Sequence, residues 1–401
     1  MQNFELYNPV RVIFGNGESK KVGNYAAGLG KRALVVSYEE HGFFADLLNT
    51  VESSLREAGV EVFTYYHMQA NPLLSHIREA IALCKKENVE FCVGVGGGSV
   101  MDATKVVAAG VLYGDDPWKM FVTHQDRVVG VAPNQTLPTV MIPTLPATSS
   151  EMNCIAVVTN DETKEKTYVS TPVIFPKISI VDPALTCTLP RFQTVSGAMD
   201  AMSHIFEAYF SGDRNSPLQD RLHEGLLVTI MSELRAILAD PQNVEHRANM
   251  QWAATLAWNG YIQSGLNAGT PMHAMGHVLS ALYNTTHGVT LSIFMDSFFR
   301  YMCTLDDGCA AKFATFGRNV MGVDGKGLTD YDVAKQGVER FIAFMDEVGA
   351  PHTLSAAGIP IEDIEKIADN IVEHGCDANG NLASIPPIGR DAILEILHMA
   401  E

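Results

Sequence analysis

The sequence predicts an α/β domain built on a parallel sheet, followed by an all-α domain, with the change falling near residues 183–190. Short β-branched runs alternate with longer segments of helical period in the first part of the chain. Turns of small residues follow several of those runs. After Asp182-Pro183 the helical period continues almost to the C-terminus, with Ala, Leu and Met abundant and strand signals sparse. A chain of 401 residues is too long for one ordinary core. We therefore expect two domains, residues 1–185 and 186–401.

Residues 33–37 (Ala-Leu-Val-Val-Ser) read as a buried strand, and Phe44, Leu47, Leu48, Val51 and Leu55 recur at helical spacing before Ala58-Gly59 ends that helix. Residues 61–65 form the next strand. A helix over about 75–86 leads to a strand over 90–95, then to a glycine run, then to a helix through Lys105 and Ala109. This makes two successive βαβ units. Residues 139–142 read as another strand, 155–159 and 167–170 as a hairpin around Asn160-Asp161-Glu162, and 177–181 as the last clear strand.

Composition narrows the function classes. Apolar residues make up 47% and charged residues 18%, and no apolar stretch reaches the roughly 20 residues of a membrane helix. The N-terminus carries an early acid and no basic region before an apolar run, which predicts a cytoplasmic protein. Acids outnumber bases 46 to 28, a formal charge of −18, so nucleic acid and anionic lipid surfaces are poor partners. Seven scattered cysteines without a Cys-x-x-Cys pair argue against a disulfide framework or a thiolate zinc site.

Gly94-Val95-Gly96-Gly97-Gly98-Ser99 sits where a strand ends and a helix begins. Glycines there let backbone amides approach an anion, and the helix N-terminus adds partial positive charge. The run is read as a pyrophosphate site, with a merely tight turn as the alternative. It is neither the standard Rossmann fingerprint nor a Walker loop. Asp102 and Lys105 follow on the first turns of the helix, where Asp102 also complements the helix dipole. A second turn, from Pro143 through Thr144 and Thr148 to Glu151, follows the strand at Thr139. Both turns fall at carboxyl ends of strands, where open α/β sheets bind ligands, and Asn71-Pro72 beyond another strand is a third contact or only a turn.

Nine of the thirteen histidines share no spacing. His204 follows Asp200 by four residues and His277 follows His273 by four, so each pair shares a helix face, and His287 lies ten residues further on. A carboxylate among apolar and small neighbours needs a paired charge or a metal. One carboxylate and three imidazoles suit Zn²⁺ or Fe²⁺ and are poor for Ca²⁺ or Mg²⁺. Spacing does not say which of the three later histidines stands back. Glu207, one turn beyond His204, is a candidate support for a ligand or an ordinary surface acid.

Taken together, residues 4–17, Asn71-Pro72, the glycine run, residues 144–148, 197–204 and 248–254, and the histidine segment resemble the iron-containing alcohol dehydrogenase family, in its butanol dehydrogenase and aldehyde reductase branch. The resemblance implies a Rossmann-like dinucleotide-binding domain and a helical metal-binding domain, the architecture of dehydroquinate synthase. It implies a divalent metal, Fe²⁺ first and Zn²⁺ as the alternative, on Asp200, His204, His273 and His287, with His277 handling a proton or contacting the cofactor. Asn71, Gly97, Gly98, Ser99, Asp102, Thr144, Thr148 and Lys166 match its cofactor-binding positions. One departure concerns the nucleotide. Relatives that use NADP commonly carry Gly-Gly-Gly-Ser after the strand matching 33–37, whereas this chain reads Tyr38-Glu39-Glu40-His41-Gly42. An acid there accepts from ribose hydroxyls and repels a phosphate, which favours NAD(H).

The implied reaction is reversible hydride transfer between a primary alcohol, or its aldehyde, and the nicotinamide, in a homodimeric enzyme. A dehydroquinate synthase-like or glycerol dehydrogenase-like enzyme is the rival on the same fold. The synthase reading would need many basic residues to grip an anionic substrate, and the segments around 200 and 273–287 contain none.

Overall fold

The computed structural model describes residues 1–39, 42–122, 130–212 and 215–401. Glu40 and His41 of the turn expected to favour NAD(H), and His124, lie outside the described residues. The chain forms two compact units, one of Tyr7–Pro190 with Asp240–Asn259 and one of Met1–Leu6, Arg191–Ala239 and Gly260–Glu401.

The first unit contains β1 (Arg11–Phe14), α1 (Val22–Ala26), β2 (Arg32–Val36), α2 (Phe43–Glu57), β3 (Glu61–Tyr65), α3 (Leu74–Glu87), β4 (Phe91–Gly96), α4 (Gly98–Leu112) and β5 (Thr139–Pro143). It continues with the hairpin strands β6 (Ile155–Thr159) and β7 (Lys166–Ser170), then β8 (Ile178–Val181). Six strands form one parallel sheet in the order β1-β8-β5-β4-β2-β3, and β6 pairs antiparallel with β7. Every strand expected from the sequence is present, with ends shifted by a residue. β1, which pairs with β8 from Arg11 opposite Ile178 to Phe14 opposite Val181, is an addition.

Strand alternation divides the core between two faces. Ala33 and Val35 of β2 and Phe91, Val93 and Val95 of β4 pack with Leu48, Val51 and Leu55 of α2. Leu34, Val36 and Cys92 point the other way, into Ile77 and Ala80 of α3 and Val106 and Val107 of α4. Burial on both faces is why these strands read as continuous apolar runs. β2 continues to β3 on one side while β4 continues to β5 on the other, so the direction of sheet growth reverses between β2 and β4. A crevice at the carboxyl ends of such strands is where open sheets take ligands.

The chain then enters α5 (Arg191–Phe210) and α6 (Pro217–Ala239), passes α7 (Val244–Ala257), which belongs to the sheet-bearing unit, and returns to the helical unit. There follow α8 (Pro271–Tyr283), α9 (His287–Met302), α10 (Asp307–Asn319), α11 (Asp330–Val348), α12 (Ile364–Gly375) and α13 (Arg390–Met399). Residues 194–210 of α5 are all buried, which makes it the axis of the helical unit. Its C-terminal turns carry Phe206 and Phe210 into a cluster with Phe299, Phe313, Phe316 and Phe341, in which Phe210 stacks on Phe313 at 3.9 Å between centroids. Such contacts stabilise beyond area burial alone and hold α5 rigidly. Among the described residues no helix is long and apolar enough to cross a membrane.

Candidate metal centre and cofactor site

Asp200, His204 and Glu207 stand on one face of α5, spaced by four and then three residues. Asp200 is 3% exposed, His204 7% and Glu207 not at all. The apolar and small residues around them supply that burial, and α8 supplies His273, itself 8% exposed. Donor atoms of Asp200, His204 and His273 all lie within 4.8 Å of one another.

The hydrogen bonds fix the protons in this cluster. His204 Nδ1 lies 2.9 Å from the Asp200 carbonyl, and His273 Nδ1 lies 3.1 Å from Glu207 Oε1. The carbonyl can only accept, so His204 Nδ1 carries the hydrogen and its Nε2 is a lone pair; with Glu207 ionised the same tautomer holds for His273. Those Nε2 atoms face each other at 3.1 Å. Two inward lone pairs at that separation, beside a buried carboxylate, repel unless a cation sits among them. The donor set therefore fits a divalent metal. Burial, and then the neighbouring His273, pull His204 well below the ordinary histidine range, which favours the neutral, ligating form.

His287 opens α9 with its Nε2 3.9 Å from Asp200 Oδ1 and its ring 5.3 Å from that of His273. The residue after it explains the approach. A Cβ on Gly288 would lie 2.0 Å from the Ser196 carbonyl oxygen, so only glycine lets the start of α9 sit against α5. His277 stands further back, its ring 5.4 Å from His287 and 6.2 Å from His273. The structure thus gathers Asp200, His204 and His273 most tightly, with His287 beside them and His277 behind.

In the sheet-bearing unit, Gly96 ends β4, Gly97 is the extended N-cap of α4, and Gly98 and Ser99 begin the helix. No side chain caps that N-terminus, so its first amides are available to an anion. A Cβ on Gly98 would lie 2.4 Å from Thr148 Cγ2, and the Thr144 amide donates to the Gly96 carbonyl at 3.0 Å. The glycine turn and the 144–148 turn are therefore one packed wall. Asn71, with φ 56°, accepts from Lys166 Nζ at 2.8 Å. Two matched positions 95 residues apart in sequence meet.

Asp102, another matched position, is tied into the second turn. Its carboxylate accepts from Ser150 Oγ at 2.5 Å and from the Val157 amide at 2.9 Å. Lys105 Nζ, fully buried, donates to Ser150 Oγ at 2.8 Å, Asn153 Oδ1 at 2.9 Å and the Ile155 carbonyl at 2.7 Å. Burial lowers that ammonium to about 8. Together Asp102 and Lys105 pin α4 to the second turn and to β6. Sequence reasoning did not assign a role to Tyr38. Its hydroxyl would lie 3.2 Å from a Cβ on Gly97, and its ring 3.1 Å from one on Gly96. Nothing in the sequence distinguishes it from any aromatic residue after a strand.

Comparison with known proteins matches the chain in two consecutive parts. Residues 9–183 match the iron-containing alcohol dehydrogenase family, and residues 194–400 match the C-terminal region of Fe-containing alcohol dehydrogenases. The chain belongs to the iron-containing alcohol dehydrogenase family. It is thus an NAD(P)-dependent oxidoreductase of the alcohol and aldehyde class, as the resemblance implies, and not the synthase rival. It is 35% identical over 397 residues to a probable NADH-dependent butanol dehydrogenase of Bacillus subtilis, covering 99% of each chain. To the NADPH-dependent aldehyde reductase YqhD of Escherichia coli it is 30% identical over 388 residues, covering 94% of each. The crystal structure of NADH-dependent butanol dehydrogenase A from Thermotoga maritima superposes with a TM-score of 0.92 at 38% identity, covering 100% of this chain and 99% of that one.

Proposed function

We propose that this protein is an NADH-preferring, metal-dependent reductase of simple aldehydes that also oxidises the corresponding primary alcohols. The observation that carries the proposal is the buried convergence of Asp200, His204 and His273, whose donor atoms lie within 4.8 Å of one another and whose two histidine Nε2 atoms stand 3.1 Å apart. Asp200, His204, His273 and His287 would hold the ion, with Fe²⁺ ahead of Zn²⁺. When bound, it supplies Lewis acidity that lowers the pKa of an alcohol oxygen or polarises an aldehyde carbonyl.

The chain's own residues do the remaining work. The amides of Gly98 and Ser99 at the start of α4 hold the pyrophosphate, with Gly97, Thr144 and Thr148 shaping the turn around it. Asn71 and Lys166 act as a bonded pair on the cofactor, and Asp102 keeps α4 in place against β6. His277, behind the ligands, passes a proton between the reacting oxygen and solvent. Glu39, exposed just beyond β2, would accept from the ribose hydroxyls and disfavour a 2′-phosphate. Similarity to four proteins named as NADH-dependent butanol dehydrogenases supports that nucleotide preference.

The reading extends to a cytoplasmic homodimer. β1 is an edge strand, and Phe4, Leu6, Tyr7 and Phe14 are exposed, which supports a second copy as cover. Metal-loaded enzyme should reduce a short aliphatic aldehyde faster with NADH than with NADPH at equal subsaturating concentration, and should accumulate NADH from NAD and the matching alcohol. Absence of turnover with either nucleotide, in protein that retains its metal, would end the proposal. Faster turnover with NADPH would overturn its nucleotide half. Light scattering should give twice the chain mass.

A further inference from the structure

α8 begins with an unmet requirement. Its N-cap, Thr270, makes no side-chain capping bond, and Pro271 at the first position has no N–H. The His273 amide, in the first turn, therefore needs an acceptor from outside the helix. Glu207 provides it. Its Oε1 accepts the His273 amide at 2.9 Å, and the same Oε1 lies 3.1 Å from His273 Nδ1. The side chain is fully buried and comes from α5, three residues after His204. One oxygen thus fixes both the backbone and the ring of His273, and the positive end of the α8 dipole favours an acceptor there.

We infer that Glu207 is a positioning residue for the metal centre, the external cap of α8 that holds His273 with its Nε2 turned inward. The inference rests on the metal-binding reading above. It differs from an ordinary helix cap in one consequence. A cap alone stabilises the fold. A cap that also bonds Nδ1 sets which ring nitrogen is free to ligate, and loss of such a partner typically costs 10- to 100-fold in metal affinity.

The test uses full-length protein stripped of metal and titrated with Co²⁺, followed through the visible spectrum of the bound ion, with NADH affinity measured in parallel. Glu207→Ala should weaken Co²⁺ binding by about 10- to 100-fold and alter the spectrum, with NADH affinity unchanged. Glu207→Gln retains an acceptor oxygen at the same reach and should recover most of the lost affinity, whereas the shorter Glu207→Asp should not. Glu207→Ala that lowers the melting temperature of metal-free protein yet binds Co²⁺ as tightly as wild type would reduce Glu207 to a structural cap and overturn the inference. Should Glu207→Ala not fold, equal Co²⁺ affinity in the Gln and Asp variants would overturn it instead. Wild-type protein that fails to bind Co²⁺, Fe²⁺ or Zn²⁺ would count against the proposed function and is a separate outcome.

Discussion

Asp200 and His273 come from different helices, and each has a reason to be where it is that does not involve the other. Asp200 is carried by a helix buried through residues 194–210, and His273 is held by Glu207. Removing both should empty the site without unfolding either helix. Asp200→Asn combined with His273→Ala should leave no stoichiometric metal by elemental analysis and no measurable aldehyde reduction, while NADH still binds. Full turnover in that double variant would exclude the metal reading. His352 makes a different point about buried charge. Its Nδ1 lies 2.6 Å from Asp296 and its Nε2 3.0 Å from Asp346, while Arg300 also bonds Asp296 and reaches Glu339. The hydrogen bond to Asp296 is the main cause that raises its pKa in the fold. A raised pKa contributes stability that is fully present below the ordinary histidine value and is lost as pH rises through the folded one. The contribution is roughly 1–2 kcal/mol, from hydrogen bonds to charged partners. Urea midpoints should therefore fall between about pH 5.5 and about pH 9 by more in wild type than in His352→Gln. Parallel pH profiles for the two proteins would refute this.

Two glycines let whole elements approach, and their substitutions should separate the two sites. Gly288→Ala places a methyl carbon 2.0 Å from a backbone oxygen of α5, which cannot rotate away, so the first turn of α9 must move and take His287 with it. Overpacking of this kind costs about 1–3 kcal/mol, and metal affinity should drop while NADH affinity holds. Gly98→Ala meets the Thr148 side chain instead, and should weaken NADH by about tenfold, or ~1.4 kcal/mol, with metal content unchanged. The reverse pattern in either variant would break the link between element and site. The sequence made the parallel sheet legible because both faces of β2 and β4 are apolar, and it made the pairs Asp200/His204 and His273/His277 legible because a helix turn is a fixed distance. β1 was not read from the sequence: its four residues are exposed or only half-buried, so no buried face marks them. Nor was the role of Glu207. An acid one turn beyond a ligand looks the same whether it meets water or the start of another helix. That Ser149 would bond the Ala254 carbonyl and the Trp258 amide, fixing α7 to the second turn, depends on tertiary contact alone.

At the scale of the molecule, the residues matched to the cofactor lie within Tyr7–Pro190, and those matched to the metal lie within Arg191–Ala239 and Gly260–Glu401. Each set includes residues held by bonds internal to its own unit. The glycine turn is braced by Thr148 and by Lys105 on Ser150 and Asn153. The histidines are braced by the Asp200 carbonyl and by Glu207. Nucleotide affinity should therefore survive loss of the ion, while turnover should not. Protein dialysed against a strong chelator should bind NADH with a dissociation constant within about threefold of the loaded enzyme, a difference of less than ~1 kcal/mol. It should reduce no aldehyde until Fe²⁺ or Zn²⁺ is returned. The melting temperature should rise on adding back either ion, because a ligand that binds only the folded state stabilises it by mass action. Chelated protein that still turned over at the loaded rate would remove the metal from the reaction. Chelated protein that lost NADH binding as well would show that the two sets of residues are energetically coupled, contrary to the independence their internal bonding predicts.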